Sequence, residues 1–164
     1  MAGAKPQDVL RHSILDRLAE SGGVRGASRD LRIGVDDLRA AVRRDLEWLL
    51  NTRIFLQESL DEYPEARRSI LGYGLPDLTT FSPSSEVDSR TVCTLIEEAV
   101  RTFEPRLIPR TVRVEFVPAS RVDDFLMHFK IHGTLYVEPI REDVAFDTSM
   151  DMSCGSLKVE ESLS

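Results

Sequence analysis

Residues Val87–Arg113 read VDSRTVCTLIEEAVRTFEPRLIPRTVR, and this stretch decides the fold. Its apolar residues recur at the i, i+3, i+4 spacing of an amphipathic helix: Val92, Leu95, Ile96, Ala99, Val100 and Phe103. Asp88 is the predicted N-cap, because its carboxylate can accept the unpaired amides of the first turn. Pro105 disfavours helical geometry at the preceding residue and has no amide to donate, so we predict that the helix ends at Glu104.

Glu104 and Arg106 therefore flank a proline at a helix exit. A carboxylate there faces the negative end of the helix dipole and favours a nearby cation, which Arg106 or Arg110 can supply. A surface ion pair of little energetic weight is the simpler interpretation. Contact with a partner, with both side chains aimed outward beside the sheet, is the functional one.

Two segments precede this helix. A short apolar patch formed by Ile14, Leu15 and Leu18 is followed by Gly22, Gly23 and Gly26, and a helix this short must dock on something to be stable. Docking on its own domain and docking on another subunit are equally compatible with the pattern. The next predicted helix is Val35–Asn51, with Trp48 as a packing anchor and a core face of Val35, Leu38, Val42, Leu46, Leu49 and Leu50.

After the central helix the apolar period changes from 3.6 to 2, which predicts strands over 111–117 and 125–137. In the second strand Phe125, Met127, Phe129 and Ile131 are predicted to face inward. Residues 144–152 and 157–159 predict a polar, acidic hairpin that turns at 153–156 and has little to bury. Such a hairpin has open edges, which favour pairing with another chain.

Composition indicates a water-soluble chain: 41% of its 164 residues are hydrophobic, 30% are charged, and no apolar run is long enough to span a membrane. The N-terminal segment lacks the apolar core of a signal peptide, so a cytoplasmic location is expected. The net charge of −7 lies entirely in residues 69–164, which carry 9 basic and 16 acidic side chains. This acidic half argues against a nucleic-acid surface and favours a basic protein partner.

No motif for catalysis, cofactor or metal binding is convincing. His128 and His132 lie four apart, but on a strand with no third ligand nearby they are better read as solvated residues. A glycosidase that used Glu104 as its acid would need a second carboxylate facing it across a cleft, and the sequence supplies none convincingly. Cys93 and Cys154 form no CxxC pair, and we expect both thiols to be reduced.

Five segments occur in an order that resembles one family: SILDRL at 13–18, RRDLEWLLN at 43–51, YPE with SILGYGLPDL at 63–78, FSPSS at 81–85 and FEPRL at 103–107. The chain resembles TssE, the small baseplate subunit of the bacterial type VI secretion system. That family is similar to the baseplate wedge protein of contractile-tailed phages. Its Glu-Pro-Arg triplet is present as Glu104-Pro105-Arg106. A C-terminal pattern also fits, as Phe146, Thr148, Asp151 and Gly155, although Cys154 departs mildly at the turn.

The resemblance implies an α+β fold: N-terminal helices, a central amphipathic helix and a small antiparallel sheet with a C-terminal hairpin like the handshake portion of the sheath. It implies a flexible leader with a short docking helix over 1–30 and one wedge domain over 31–164. The implied function is structural: joining the wedge subunits TssF, TssG and TssK to the sheath subunits TssB and TssC, in the cytoplasm near the inner-membrane complex. A muramidase-like hydrolase that uses Glu104, or a regulatory module that binds one partner through its open strand edge, remains the alternative.

The expected partner-binding residues are Ile14, Leu15 and Leu18 in the leader, the triplet Glu104, Pro105 and Arg106, and the hairpin residues Phe146, Thr148 and Asp151. No catalytic, cofactor-binding or metal-binding residue is expected, and neither nucleic acid nor direct membrane insertion is expected.

Overall fold

Two long helices form one layer of the protein. A computed structural model describes residues 35–54, 62–82, 84–118, 125–137 and 140–162. Helix α1 is Val35–Asn51 and helix α3 is Glu86–Phe103. Between them lie a single-turn helix α2, Pro64–Arg67, and the 3-10 turn Ile70–Gly72. Each long helix buries one apolar stripe, as its spacing predicts.

Four antiparallel strands form the other layer: β1 Arg113–Val117, β2 Leu126–Val137, β3 Ile140–Asp151 and β4 Ser156–Glu161. They lie in the order β1-β2-β3-β4, so each strand pairs with the next one along the chain. Helix α1 packs against β4, helix α3 packs against β1, and the two helices contact each other. The α+β class with a C-terminal hairpin is confirmed.

The core lies between the two layers. In β2 and β3 every second side chain faces it, so that Phe129 and Phe146 are among the largest fully buried residues. Gly133 on β2 is also buried, and a β-carbon there would lie 3.4 Å from the Leu107 side chain, which fills the space. The outward-facing residues of the same strands, including His128 and His132, are only partly buried.

The hairpin is not a polar appendage, which corrects the sequence prediction that it has little to bury. Its inward side chains complete the core: Val144, Phe146, Thr148, Met150, Met152, Leu157 and Val159. Because β3 is twelve residues long and lies between β2 and β4, it is a central strand of the sheet. The polar residues that alternate with them, such as Asp147 and Ser149, lie on the outer face of the sheet.

Three local predictions are also wrong. The N-cap of α3 is Ser85, whose hydroxyl accepts the amide of Asp88 at 3.2 Å, while the Asp88 carboxylate accepts the amide of Ser82 at 2.9 Å. Trp48 is 52% exposed and lies against the Arg44 guanidinium, so it does not anchor the core. Phe125 is 65% exposed and precedes β2, so the inward alternation starts at Met127.

Candidate functional site

The Glu-Pro-Arg triplet turns the chain from α3 toward the sheet. Glu104 is the C-cap of α3, and its amide donates to the carbonyl of Val100 at 3.0 Å. One carboxylate oxygen of Glu104 accepts the backbone amide of Arg106 at 3.0 Å, bridging over Pro105. This bond fixes the turn at the point where the proline prevents further helix.

Glu104 and Arg106 also form a two-pronged ion pair. The Arg106 Nε and Nη2 donate to Glu104 Oε1 and Oε2 at 2.7 and 2.6 Å, a geometry that only arginine provides. Arg106 Nη2 then reaches Asp45 Oδ2 on α1 at 2.7 Å. Three side chains on two helices and a connecting segment thus form one network, which we call the triplet network: Asp45, Glu104 and Arg106.

The triplet network is an internal structure. Glu104 is only 3% exposed, which corrects the expectation that its side chain is aimed outward. Arg106 and Asp45 are partly covered, and Pro105 is the exposed member of the triplet. Both carboxylate oxygens of Glu104 accept hydrogen bonds from Arg106. A partner that binds this region would contact Pro105 and the exposed part of Arg106.

The network favours the charged form of Arg106. Burial alone lowers the pKa of Arg106, but its hydrogen bonds and Coulomb attraction to Glu104 and Asp45 outweigh burial and raise that pKa above its usual value. Burial, and then the nearby negative charges of Asp45 and Glu104, raise the pKa of Tyr73. Its ring meets Phe103 edge-on at 5.3 Å, so the network is flanked by a pair of aromatic rings.

Beyond Arg106 the chain runs along β2 as an extra edge. The Tyr136 amide donates to the Arg106 carbonyl at 2.8 Å, and the Ile108 amide donates to the Thr134 carbonyl at 2.9 Å. Leu107, between them, is buried. The triplet therefore joins α1, α3 and β2, and its geometry determines how the helical layer sits on the sheet.

Side chains from the helices cover both edges of the sheet. On the β1 side, the Glu97 carboxylate accepts the amide of Val114 at 3.1 Å, and Arg101 donates to the carbonyl of Val112 at 3.0 Å. On the β4 side, Asn51 bonds both backbone groups of Leu157. The sequence predicted open edges, whereas part of each edge is already occupied by the chain's own side chains.

The hairpin residues expected to bind a partner have different positions. Phe146 and Thr148 are buried in the core, and the Thr148 hydroxyl has no hydrogen-bond partner among the described residues. Asp151 is partly exposed, and its carboxylate accepts the amide and hydroxyl of Ser153 at 2.8 and 2.5 Å. These bonds lower the pKa of Asp151 and hold the turn between β3 and β4. The leader residues Ile14, Leu15 and Leu18 lie outside the described residues.

Sequence reasoning missed three functional candidates: Asp45 in the triplet network, and Asn51 and Arg43 at the sheet edge. Asp45 and Arg106 are 61 positions apart, and no periodicity links them. The one signal in the sequence was Asp45 itself, a carboxylate that lies beside the core stripe of α1 without a helical ion-pair partner three or four residues away. Within the part of the chain that the structure describes, no group of three or more His, Cys, Asp or Glu side chains could hold a metal ion, and no helix has the length and apolarity to cross a membrane.

The chain matches the family model described as baseplate wedge protein gp25 over residues 36–140. The matched range contains all of α1 except its first residue, together with the triplet network, β1 and β2, and it ends where β3 begins. No curated protein and no solved structure matches at a comparable level of significance. Because the model spans more than half of the chain and includes the elements that the triplet joins, the chain belongs to the baseplate wedge protein gp25 family.

Proposed function

We propose that this chain is the TssE-type wedge subunit of a type VI secretion baseplate, where it joins the wedge to the contractile sheath. Family membership gives it a structural role in a phage-tail-like baseplate, together with other baseplate subunits. The finer assignment is supported by the order of the sequence segments around the triplet. Its wedge partners would be TssF, TssG and TssK, and its sheath partners TssB and TssC, in the cytoplasm beside the inner-membrane complex.

The observation that carries a structural role is the engagement of Glu104. Its two carboxylate oxygens take three hydrogen bonds from Arg106, two from the guanidinium and one from the backbone amide. A glycosidase acid must present a proton to the leaving oxygen. We therefore propose that Glu104 shapes the wedge and has no part in hydrolysis. Incubation of the purified chain with peptidoglycan tests this: turbidity should not fall, and clearing that is lost in Glu104→Gln would establish the hydrolase instead.

The sheath would join at the outer edge of β4, by addition of a strand. Backbone hydrogen bonds then supply affinity, and alternate side chains set the register. The negative charge of residues 138–164, 2 basic and 7 acidic, supports a basic surface on the incoming chain. The apolar leader residues Ile14, Leu15 and Leu18 would dock on TssF–TssG, because so short an apolar helix has little stability alone.

Imaging of fluorescent sheath in cells tests the assignment. Deletion of this chain should abolish sheath foci while TssF and TssG remain present, and the wild-type chain supplied in trans should restore them. Foci of normal number and length in the deletion strain would refute a role in starting the sheath.

Thr148→Pro is not a suitable probe of the sheath edge. The backbone groups of Leu157 point away from β3, and alternation gives Val159 the same orientation. Thr148 lies opposite Val159, so its own amide points toward β2, inside the sheet. A proline there breaks the central ladder and unfolds the domain, whatever the edge does.

A further inference from the structure

Helix α1 runs beside the outer edge of β4. Side chains from α1, and from Arg53 just after it, reach every second residue from the turn at Gly155 along that edge. Each contact reaches a backbone carbonyl: Arg53 to Gly155, Asn51 to Leu157 at 2.7 Å, and Arg43 to Val159 at 3.2 Å. Every second residue of an edge strand points its backbone groups outward, so these are the groups that a neighbouring strand would bond.

Asn51 imitates a residue of such a strand. Its Nδ2 donates to the Leu157 carbonyl at 2.7 Å, while its Oδ1 accepts the Leu157 amide at 2.9 Å. A side-chain amide offers one acceptor and a donor, which is what a peptide group in an adjacent strand offers. The edge of β4 is therefore satisfied at its centre without a second strand.

Beyond Val159 the edge is open. Alternation directs the amides of Val159 and Glu161 outward, and no described side chain meets them. They face a groove of about 410 Å³ between α1 and β4, lined by Arg43, Glu47, Lys158, Val159, Glu160 and Glu161. An extended segment that enters this groove reaches the edge at Val159 and Glu161.

The covering side chains lose little when they leave the edge. Arg43 also pairs with Glu47 at 3.0 Å, and Asn51 Nδ2 also bonds the Glu47 carbonyl at 2.8 Å, so each keeps a partner on α1. An incoming strand replaces the released bonds with its own backbone groups. Replacing the side-chain bonds with those of an incoming strand therefore changes the number of hydrogen bonds little, which is the condition for a reversible closure.

Charge selects the occupant. Lys158 is paired with Glu160 at 2.5 Å and Arg43 with Glu47, whereas Glu161 has no ion-pair partner among the described residues. The groove thus carries a net negative charge, which repels a second copy of the same acidic edge and attracts a segment with lysine or arginine side chains.

We propose that Asn51 and Arg43 form a displaceable lock on the β4 edge. A basic, extended segment of a partner protein pairs first with Glu161 and Val159, displaces Arg43, and then displaces Asn51. The proposal rests on the proposed function, in that the natural segment would belong to the sheath. The lock keeps the free subunit from pairing with wrong strands before the baseplate is assembled.

Amide hydrogen exchange of the free full chain tests the lock without any partner. Asn51→Ala removes both bonds to Leu157, so exchange of the Leu157 amide should accelerate by about tenfold, the equivalent of one to two hydrogen bonds. Thr52→Ala is the matched control, because its hydroxyl caps the Trp48 carbonyl at 2.7 Å one residue further along and does not bond β4. Equal exchange at Leu157 in Asn51→Ala and Thr52→Ala would overturn the lock.

A peptide probe tests the occupant. An acetylated, amidated hexapeptide of alternating lysine and valine, added to the isotope-labelled chain, should shift the amide signals of Val159 and Glu161. It should bind Asn51→Ala about tenfold more tightly than wild type or Thr52→Ala. The same peptide with glutamate for lysine should bind more weakly to each chain. Equal affinity for all three chains, or shifts confined to another surface, would overturn the proposal.

Two further comparisons keep the outcomes separate. If Asn51→Ala unfolds, Asn51→Asp retains an acceptor for the Leu157 amide, replaces the donor to its carbonyl with an oxygen and adds a negative charge beside the groove. The lost donor and the added charge both favour the lysine peptide, so a gain in affinity is expected, and no gain would count against the lock. If the peptide binds Asn51→Ala more tightly than wild type while cells lacking the chain still form sheath foci, the proposed function is refuted and the lock is supported.

Discussion

Arg106→Ala is the perturbation whose effect the triplet network defines most clearly. It removes the guanidinium partner of Glu104, which is only 3% exposed in the intact chain, and it releases Asp45 as well. Breaking a buried ion pair by removing one partner destabilises a protein by about 3–5 kcal/mol. We expect a loss near the lower end, about 3 kcal/mol, because a fifth of the Arg106 side chain is in contact with water.

The other members of the network should rank below Arg106. Glu104→Ala leaves Arg106 partly solvated and still bonded to Asp45, at a cost of about 2 kcal/mol for the charged hydrogen bonds lost. Asp45→Ala removes a partly exposed carboxylate together with the bonds that it accepts from Arg106 and from its neighbour Arg44, and it should cost about 1 kcal/mol. The double variant Glu104→Ala, Arg106→Ala should be less destabilised than the sum of its single variants, because the pair is coupled.

Urea unfolding at pH 7 measures these differences, with an unchanged slope as the condition for comparison. Arg90→Ala is the control, since Arg90 pairs with Glu86 on the same helix α3 with both side chains about 80% exposed, and it should cost under about 1 kcal/mol. Equal losses in Arg106→Ala and Arg90→Ala would refute a buried network. The structure also changes the interpretation, drawn from the sequence, that Glu104 and Arg106 form a surface ion pair of little energetic weight.

Three further predictions concern single groups. Thr148→Val should stabilise the chain by about 1 kcal/mol, because it replaces an unpaired buried hydroxyl with a methyl group; a loss in urea unfolding would mean that the hydroxyl has a partner. The pKa of Asp151 is lowered in the folded state, so its stabilising effect is full above the unfolded value of 3.8 and is lost as pH falls through the folded value. Asp151→Asn should therefore unfold more easily than wild type at pH 7, and a gap that did not begin to narrow as pH falls below 3.8 would contradict this cause. Burial, with the nearby charge of Glu97, raises the pKa of Cys93 to about 11. Iodoacetamide at pH 8 should therefore label the exposed Cys154 and spare Cys93 until urea is added. Equal labelling of the two thiols in the native state would contradict the burial of Cys93.

Local patterns predicted the elements well because local physics determines them. The 3.6-residue stripe of α3, its end at Pro105 and the alternation of β2 all depend on residues within a few positions of one another. The N-cap was misplaced because Asp88 and Ser85 are both good caps, and only the fold shows which one begins the first turn. The buried side of the hairpin was underestimated, because Thr148 and Asp147 are both polar in the sequence but lie on opposite faces of the sheet.

The site was less predictable because it depends on how distant segments dock. The orientation of Glu104 follows from the position of α1, which brings Asp45 to within 2.7 Å of Arg106. Closure of the β4 edge likewise needs Asn51 beside Leu157, 106 positions away. Asn51 looks like an ordinary helix terminator in the sequence, and nothing in its neighbours indicates a second role.

Co-expression of the chain with TssF and TssG, followed by size-exclusion chromatography with light scattering, tests the central claim most directly. A wedge subunit must enter a stoichiometric complex, so the account predicts that the chain co-elutes with TssF–TssG at a fixed ratio and that Arg90→Ala behaves as wild type. Elution of the folded chain as a separate monomer, beside a TssF–TssG complex that assembles without it, would contradict the account.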